Sequence, residues 1–365
     1  MSLQNNSKAI ILLLLATVLL AGCFTRLPDS QQPKRYSGVR EAFFAPDGKS
    51  IYFTFTSPKI YGLFQMNLDG KVTAWLSKWR INEPSISPDG RTLVFAVYTR
   101  DDKGDLWAMD SDGSNLRQLT FDSDYDRDPR FSQDGKRVYF MRHDSWGSFG
   151  SLDSGESWDS DVFYLNFATG KTLRVTDQEF WRLRVLFVFP DDRHILISTP
   201  QYLKETGHSL WKINIDHPTK RQAIEPNMQP FSGQPKVTFS DGNGLFAAYS
   251  LRLSRDGRYL LFAWEDPAHR WGNDPLAGDQ IFLTNMEDMS TQKILGDKHY
   301  VSPMDISPDN QLILFADSPE KSKFHDGVFV DGNLWMVRRD GSGLTNLNLD
   351  FRGVLEHPPT PLRLP

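Results

Sequence analysis

The chain of 365 residues carries 41 Lys and Arg against 46 Asp and Glu, and a formal charge of −5 gives nucleic-acid binding no electrostatic support. Aromatic residues make up 13%, with 26 Gly and 22 Pro, which excludes a disordered chain and suits an all-β protein with many turns. The length exceeds that of a usual single domain, and repeat folds are the architectures that exceed it as one unit.

At the N-terminus Lys8 precedes an apolar run over 9–20, the length of a signal h-region and short for a transmembrane span. The run ends in Leu20-Ala21-Gly22-Cys23, which resembles the lipobox of bacterial lipoproteins, and Cys23 is the only cysteine. The resemblance implies that 1–22 is a signal peptide and that Cys23 is lipidated; the alternative is an ordinary signal peptide followed by a chance cysteine. Phe24, which is not Asp, fits sorting to the outer membrane. The expected chain therefore meets the membrane through its lipid anchor only and faces the periplasm, with 23–38 as a tether containing Pro28 and Pro33.

From there one phrase recurs: Ala45-Pro46-Asp47-Gly48, Ser87-Pro88-Asp89-Gly90, Ser132-Gln133-Asp134-Gly135, Phe189-Pro190-Asp191-Asp192, Ser254-Arg255-Asp256-Gly257 and Ser307-Pro308-Asp309-Asn310. Asp followed by Gly or Asn is hairpin-turn chemistry, from which blade four, with Asp191-Asp192, diverges. Six places after each Asp stands an apolar residue, Phe53, Phe95, Phe140, Ile197, Phe262 or Phe315, which marks a strand leaving the turn. A further strand carries an aliphatic-aromatic pair such as Leu63-Phe64, Leu106-Trp107 or Leu334-Trp335, and second turns such as Asp69-Gly70 and Asp112-Gly113 lead to an outer strand. Each repeat is thus a four-stranded unit. Nearly continuous apolar strands such as Leu93-Val94-Phe95-Ala96-Val97 predict that both sheet faces are covered. The fold class is an all-β, six-bladed β-propeller of four-stranded antiparallel blades over 39–349. A Pro-rich tail, 350–365, follows.

The segment Glu83 to Thr120, EPSISPDGRTLVFA…GDLWAMDSDGSNLRQLT, resembles the repeat of TolB-type propellers, whose WD40-like repeats build such a disc. Only 24–38 precede the first blade, so the N-terminal α/β domain of TolB is not expected. The resemblance implies a protein partner in the envelope, a peptidoglycan-associated lipoprotein being one candidate.

Variation in length is unevenly placed. From the second-strand residue to the third-strand aromatic the spacing is 11 in blade one (Phe53 to Phe64) but 23 in blade three (Phe140 to Phe163) and 20 in blades five and six. A further insertion lies within 225–245. Alternating strand direction puts all of these on one face, opposite the Asp-Gly turns. The inserted loops hold His143, Asp144, Trp146, Trp158, His269, Arg270, Trp271, Phe324 and His325, a candidate binding face for a protein or a glycan. The competing reading is that the tryptophans close the loops over the disc.

Candidate chemistry is sparse. Asp122, Asp124, Asp126 and Asp128 alternate along one segment and could hold a Ca-type metal, or be solvated and paired with Arg127 and Arg130. His143, His208, His269 and His325 fall on the variable face without metal-ligand spacing. No Gly-x-Ser-x-Gly elbow occurs, and Gly48-Lys49-Ser50 and Gly170-Lys171-Thr172 lack the earlier Gly of a phosphate-binding loop. The sequence therefore predicts a non-catalytic interaction platform without a catalytic residue. The alternative is a metal-dependent carbohydrate-active enzyme, like oligogalacturonate lyase, or a glycan-binding protein.

Overall fold

The computed structural model describes residues 37–79, 81–98, 104–121, 124–143, 159–177, 180–181, 183, 185–198, 210–224, 251–264, 280–295, 300–318, 324–325, 328–330 and 333–355. The recurring phrase forms the turn expected of it. In blade two the Ser87 hydroxyl donates to the Asp89 carboxylate at 2.6 Å, that carboxylate accepts the Arg91 N–H at 3.1 Å, and the Thr92 N–H donates to Ser87 Oγ at 2.9 Å. Ser132 and Asp134, Ser254 and Asp256, and Ser307 and Asp309 repeat the hydroxyl-to-carboxylate bond. The residue after each Asp has positive φ, from 52° at Asp192 to 74° at Gly90, which explains why Gly, Asn or Asp stands there.

Each turn joins an inner strand to a second strand, and a third and an outer strand complete the unit. In blade one these are Gly38–Phe44, Ser50–Thr56, Tyr61–Asn67 and Val72–Ser77, all paired antiparallel. Among the described residues six such units occur, with inner strands Gly38–Phe44, Asn82–Ile86, Tyr125–Phe131, Val185–Val188, Arg252–Leu253 and Tyr300–Ile306. Register breaks in four inner strands, between Val39 and Glu41, Asn82 and Ser85, Arg127 and Arg130, and Pro303 and Asp305. These bulges turn polar side chains inward.

The core lies in layers between blades. Leu93, Phe95 and Val97 pack with Tyr52, Leu63 and Leu76 of blade one, whereas Val94 and Ala96 pack with Val138, Phe140 and Leu165 of blade three. One strand thus feeds two layers, which is why its apolar run is unbroken. A corresponding layer between blades six and one holds Phe44, Phe53, Phe64, Met304, Leu314 and Leu334. Each such fully buried side chain contributes roughly 1.5–3 kcal/mol.

The layer between six and one closes a ring. Pro308 of blade six lies 3.6 Å from where a β-carbon on Gly48 would stand, as Pro46 does for Gly90, and Pro88 lies 3.7 Å from that of Gly135. On the outside, Asp350 bridges to Lys71, its carbonyl accepts the Val72 N–H at 3.0 Å and its N–H donates to Gly70 O at 3.1 Å. Phe351 then seats against Phe55, Phe64 and Phe53, with ring centroids 4.8, 5.2 and 6.0 Å apart, ahead of a short helix, Arg352–Leu355. The first residues of the segment read as a tail are therefore a clasp on blade one. On the inside a hairpin of Phe324–His325 and Val328–Val330, from the blade-six insertion, pairs with blade one at Gly38 and Val39.

Candidate functional site

The inner strands wire one blade to the next through carboxylates. Glu41 of blade one accepts the Glu83 N–H of blade two at 2.9 Å. Glu83 accepts the Asp128 N–H of blade three at 2.8 Å, and Asp128 accepts the Leu186 N–H of blade four at 2.9 Å. Asp305 of blade six accepts the Phe44 N–H of blade one at 2.8 Å, across the seam. Glu83 and Asp128 reach these positions at φ 53°, which an ordinary strand residue does not adopt, so the bulge places the acid and its own N–H for successive links.

Burial pushes the carboxyls of Glu41, Asp128 and Asp305 above the usual range. At Glu83 burial acts the same way but is outweighed by the Arg127 guanidinium, the Asp128 N–H and the Tyr98 hydroxyl, which donates at 2.8 Å, and its carboxyl lies below the usual range. Arg127 stands 3.8 Å from Glu83, and the Tyr98 and Tyr125 rings stack 4.9 Å apart beside them.

Arginines complete the wall. Arg130 pairs with Asp128 and donates from Nε to Leu186 O at 3.2 Å. Arg252 repeats that backbone bond one blade pair further on, donating from Nε to Met304 O and from Nη1 to Leu251 O, both at 2.7 Å. Arg255 reaches from blade five to Phe44 O of blade one at 2.6 Å. These groups surround a cavity of about 540 Å³ to which all six blades contribute. Its rim is formed by the first turns, through Pro46, Pro88, Gln133, Pro190, Arg255 and Pro308, so it opens on the Asp-Gly face.

The acidic run is divided by arginines. Arg142 donates from Nε and Nη2 to the two oxygens of Asp126 at 2.7 and 2.8 Å and lies 3.7 Å from Asp124, while Asp128 belongs to Arg130 and Leu186. Asp122 lies outside the described residues. Among the described residues no group of three His, Cys, Asp or Glu is arranged to hold a metal. His143, expected on the variable face, is only 5% exposed at the end of its strand. Its Nδ1 lies 2.6 Å from Ser160 Oγ, its Nε2 has no partner among the described residues, and burial together with Arg127 lowers its pKa to about 3. Phe324 and His325 are in the hairpin on blade one. Asp144, Trp146, Trp158, His269, Arg270 and Trp271 lie outside the described residues, as does Cys23.

No family model matches the chain. Among solved structures, TolB from Acinetobacter baumannii is similar over 86% of this chain and 64% of its own, at 13% identity and a TM-score of 0.51. An oligogalacturonate lyase from Vibrio parahaemolyticus is similar over 88% of this chain and 83% of its own, at 13% identity and a TM-score of 0.53. The chain has a TolB-like β-propeller fold. Sequence likeness to curated proteins is partial. An uncharacterized protein of Agrobacterium fabrum is 29% identical over 122 residues, 33% of this chain and 40% of that protein. Dipeptidyl-peptidase 5 of Porphyromonas gingivalis is 36% identical over 70 residues, 18% of this chain and 10% of that protein.

In this TolB-like propeller the cavity residues Glu41, Glu83, Arg130, Arg252 and Asp305 were not singled out from sequence as a site. A signal existed. Glu41, Glu83 and Asp128 each stand six places before the turn Asp of three successive repeats, Asp47, Asp89 and Asp134.

Proposed function

We propose that this protein is a lipid-anchored β-propeller of the bacterial envelope that works as a non-catalytic platform for a protein partner. The observation that supports the reading best is the commitment of the channel carboxylates. Glu41, Glu83, Asp128 and Asp305 each accept a neighbouring blade's backbone N–H, so the acids that could serve as general bases instead hold the ring together. What they enclose is a recess lined by partly apolar surface from every blade, a form suited to capture. The lipobox at Cys23 supports anchoring, and no helix among the described residues is long and apolar enough to cross a membrane.

Crosslinking in native envelopes, followed by identification of the captured molecules, tests the platform. A protein crosslinked to the first turns or to the variable loops is expected. Recovery of glycan alone, or turnover of oligouronides by the purified chain, overturns it. Metabolic labelling with a palmitate analogue tests the anchor: label on the parent chain and none on Cys23→Ser is the expected pair, and equal labelling overturns it.

A further inference from the structure

We propose that the cavity wall formed by blades three to five is a carboxylate-binding subsite, filled by an acidic side chain of a peptide segment that enters the channel from the Asp-Gly face. This rests on the reading of the protein as a protein-binding platform and names the chemistry that the platform recognises.

The argument begins with Arg252. Its guanidinium is held by two backbone carbonyls, Met304 O and Leu251 O, and among the described residues no carboxylate lies within the 4.0 Å of an ion pair. A partly buried cation fixed by neutral acceptors keeps its charge and its remaining nitrogen uncommitted. Arg130, its counterpart in blade three, is already paired with Asp128. Between them stands Phe187 of blade four, with the Arg130 guanidinium 5.7 Å from its ring centroid, and all three line the cavity.

Burial, with repulsion from Arg130, lowers the pKa of Arg252 and outweighs the longer-range attraction of Glu41, Asp128 and Asp305. Glu41 and Asp305 also line the cavity, but each already takes an N–H from the next blade. On this wall Arg252 is the arginine whose guanidinium is held by backbone carbonyls alone.

The rest of the lining decides between ligand classes. Pro46, Pro88, Pro190, Pro308, Phe43 and Val188 bring apolar surface to the mouth. A polyhydroxylated sugar needs a hydrogen-bond partner for each buried hydroxyl, whereas a short peptide with one acid among apolar side chains matches an arginine set in an apolar ring.

Three probes test this on the purified full chain: the acetylated and amidated pentapeptide VVEFV, its VVQFV counterpart, and trigalacturonate. Binding by calorimetry is expected for VVEFV, at least tenfold weaker for VVQFV, and at least tenfold weaker for VVEFV with Arg252→Met. Arg252→Lys, which keeps the charge without the fork, is expected between the two. That variant and the VVQFV comparison decide the matter if Arg252→Met does not fold by circular dichroism.

Equal binding of the two pentapeptides, equal binding by Arg252→Met, or no binding of any probe overturns the subsite. Tighter binding of trigalacturonate than of VVEFV overturns the peptide assignment. A protein crosslinked equally well by parent and Arg252→Met overturns the subsite alone. Discrimination between the pentapeptides with no protein crosslinked in envelopes overturns the platform alone.

Discussion

Gly70 of blade one and the carbonyl oxygen of Leu347 in blade six approach so closely that a β-carbon on Gly70 would stand 1.4 Å from that oxygen. Gly113 of blade two meets Leu76 O of blade one in the same manner, and Gly341 of blade six meets Ile294 O of blade five. Blade one therefore follows blade six as any blade follows its predecessor, although the two lie at opposite ends of the repeat array. Both the φ of +86° and the contact require glycine at 70. Gly70→Ala is expected to cost at least about 2 kcal/mol in urea unfolding. Gly170→Ala, where φ is +71° but nothing lies within 4 Å, is expected to cost about 1 kcal/mol.

Phe351 is the second fastening of that seam. Its ring meets those of Phe53, Phe55 and Phe64 beyond the last strand of blade six, so it adds apolar contact without adding sheet. Phe351→Ala is expected to lower stability by about 2 kcal/mol, because the surrounding rings cannot collapse fully into the space. Leu355→Ala, at a side chain 47% exposed, is expected to change it by less than about 0.5 kcal/mol, and equal effects in denaturant titrations would count against the clasp.

Glu83 carries two inter-blade duties, accepting the Asp128 N–H and neutralising Arg127, besides the bond from Tyr98. Glu83→Gln keeps the size and one acceptor but leaves the buried guanidinium unbalanced. A loss of about 3 kcal/mol is expected, measured by thermal and chemical unfolding, and a loss below about 0.5 kcal/mol would show that the wiring does not stabilise the ring.

His143 makes a pH prediction whose sign is fixed by burial. With a folded pKa of about 3 against an ordinary value of 6.5, the unfolded chain takes up this proton first as pH falls. Stability contributed by keeping the ring neutral is thus complete above about pH 6.5 and is lost on acidification toward pH 3, by at most about 1.4 kcal/mol per pH unit. His143→Asn is expected to show a shallower fall in Tm between pH 7 and pH 4 than the parent. Parallel pH profiles would mean that the histidine is solvated.

The blades were legible because their determinants are local. A turn of Ser-x-Asp-Gly needs only contacts two to five residues apart, as between Ser87, Asp89 and Thr92, and the constant spacing to Phe95 or Phe315 follows from strand geometry. Even the two-sided burial of Leu93 to Val97 could be read, since an unbroken apolar strand has no other use. His143 was misleading for a related reason: it begins a loop in sequence, but as the last residue of a strand it points into packed surroundings.

Sequence alone therefore determined the repeat with its strands and turns, because each depends on neighbours along the chain. Only the tertiary structure decided that Asp350 and Phe351 clasp blade one, that Arg142 takes Asp126 out of the acidic run, and that a cavity lies on the constant face. Those outcomes join residues as much as 298 positions apart, as Phe351 and Phe53 are. The physical reason is ring closure, which converts small bulges in four of the inner strands, each nearly silent in sequence, into a shared wall of charged groups.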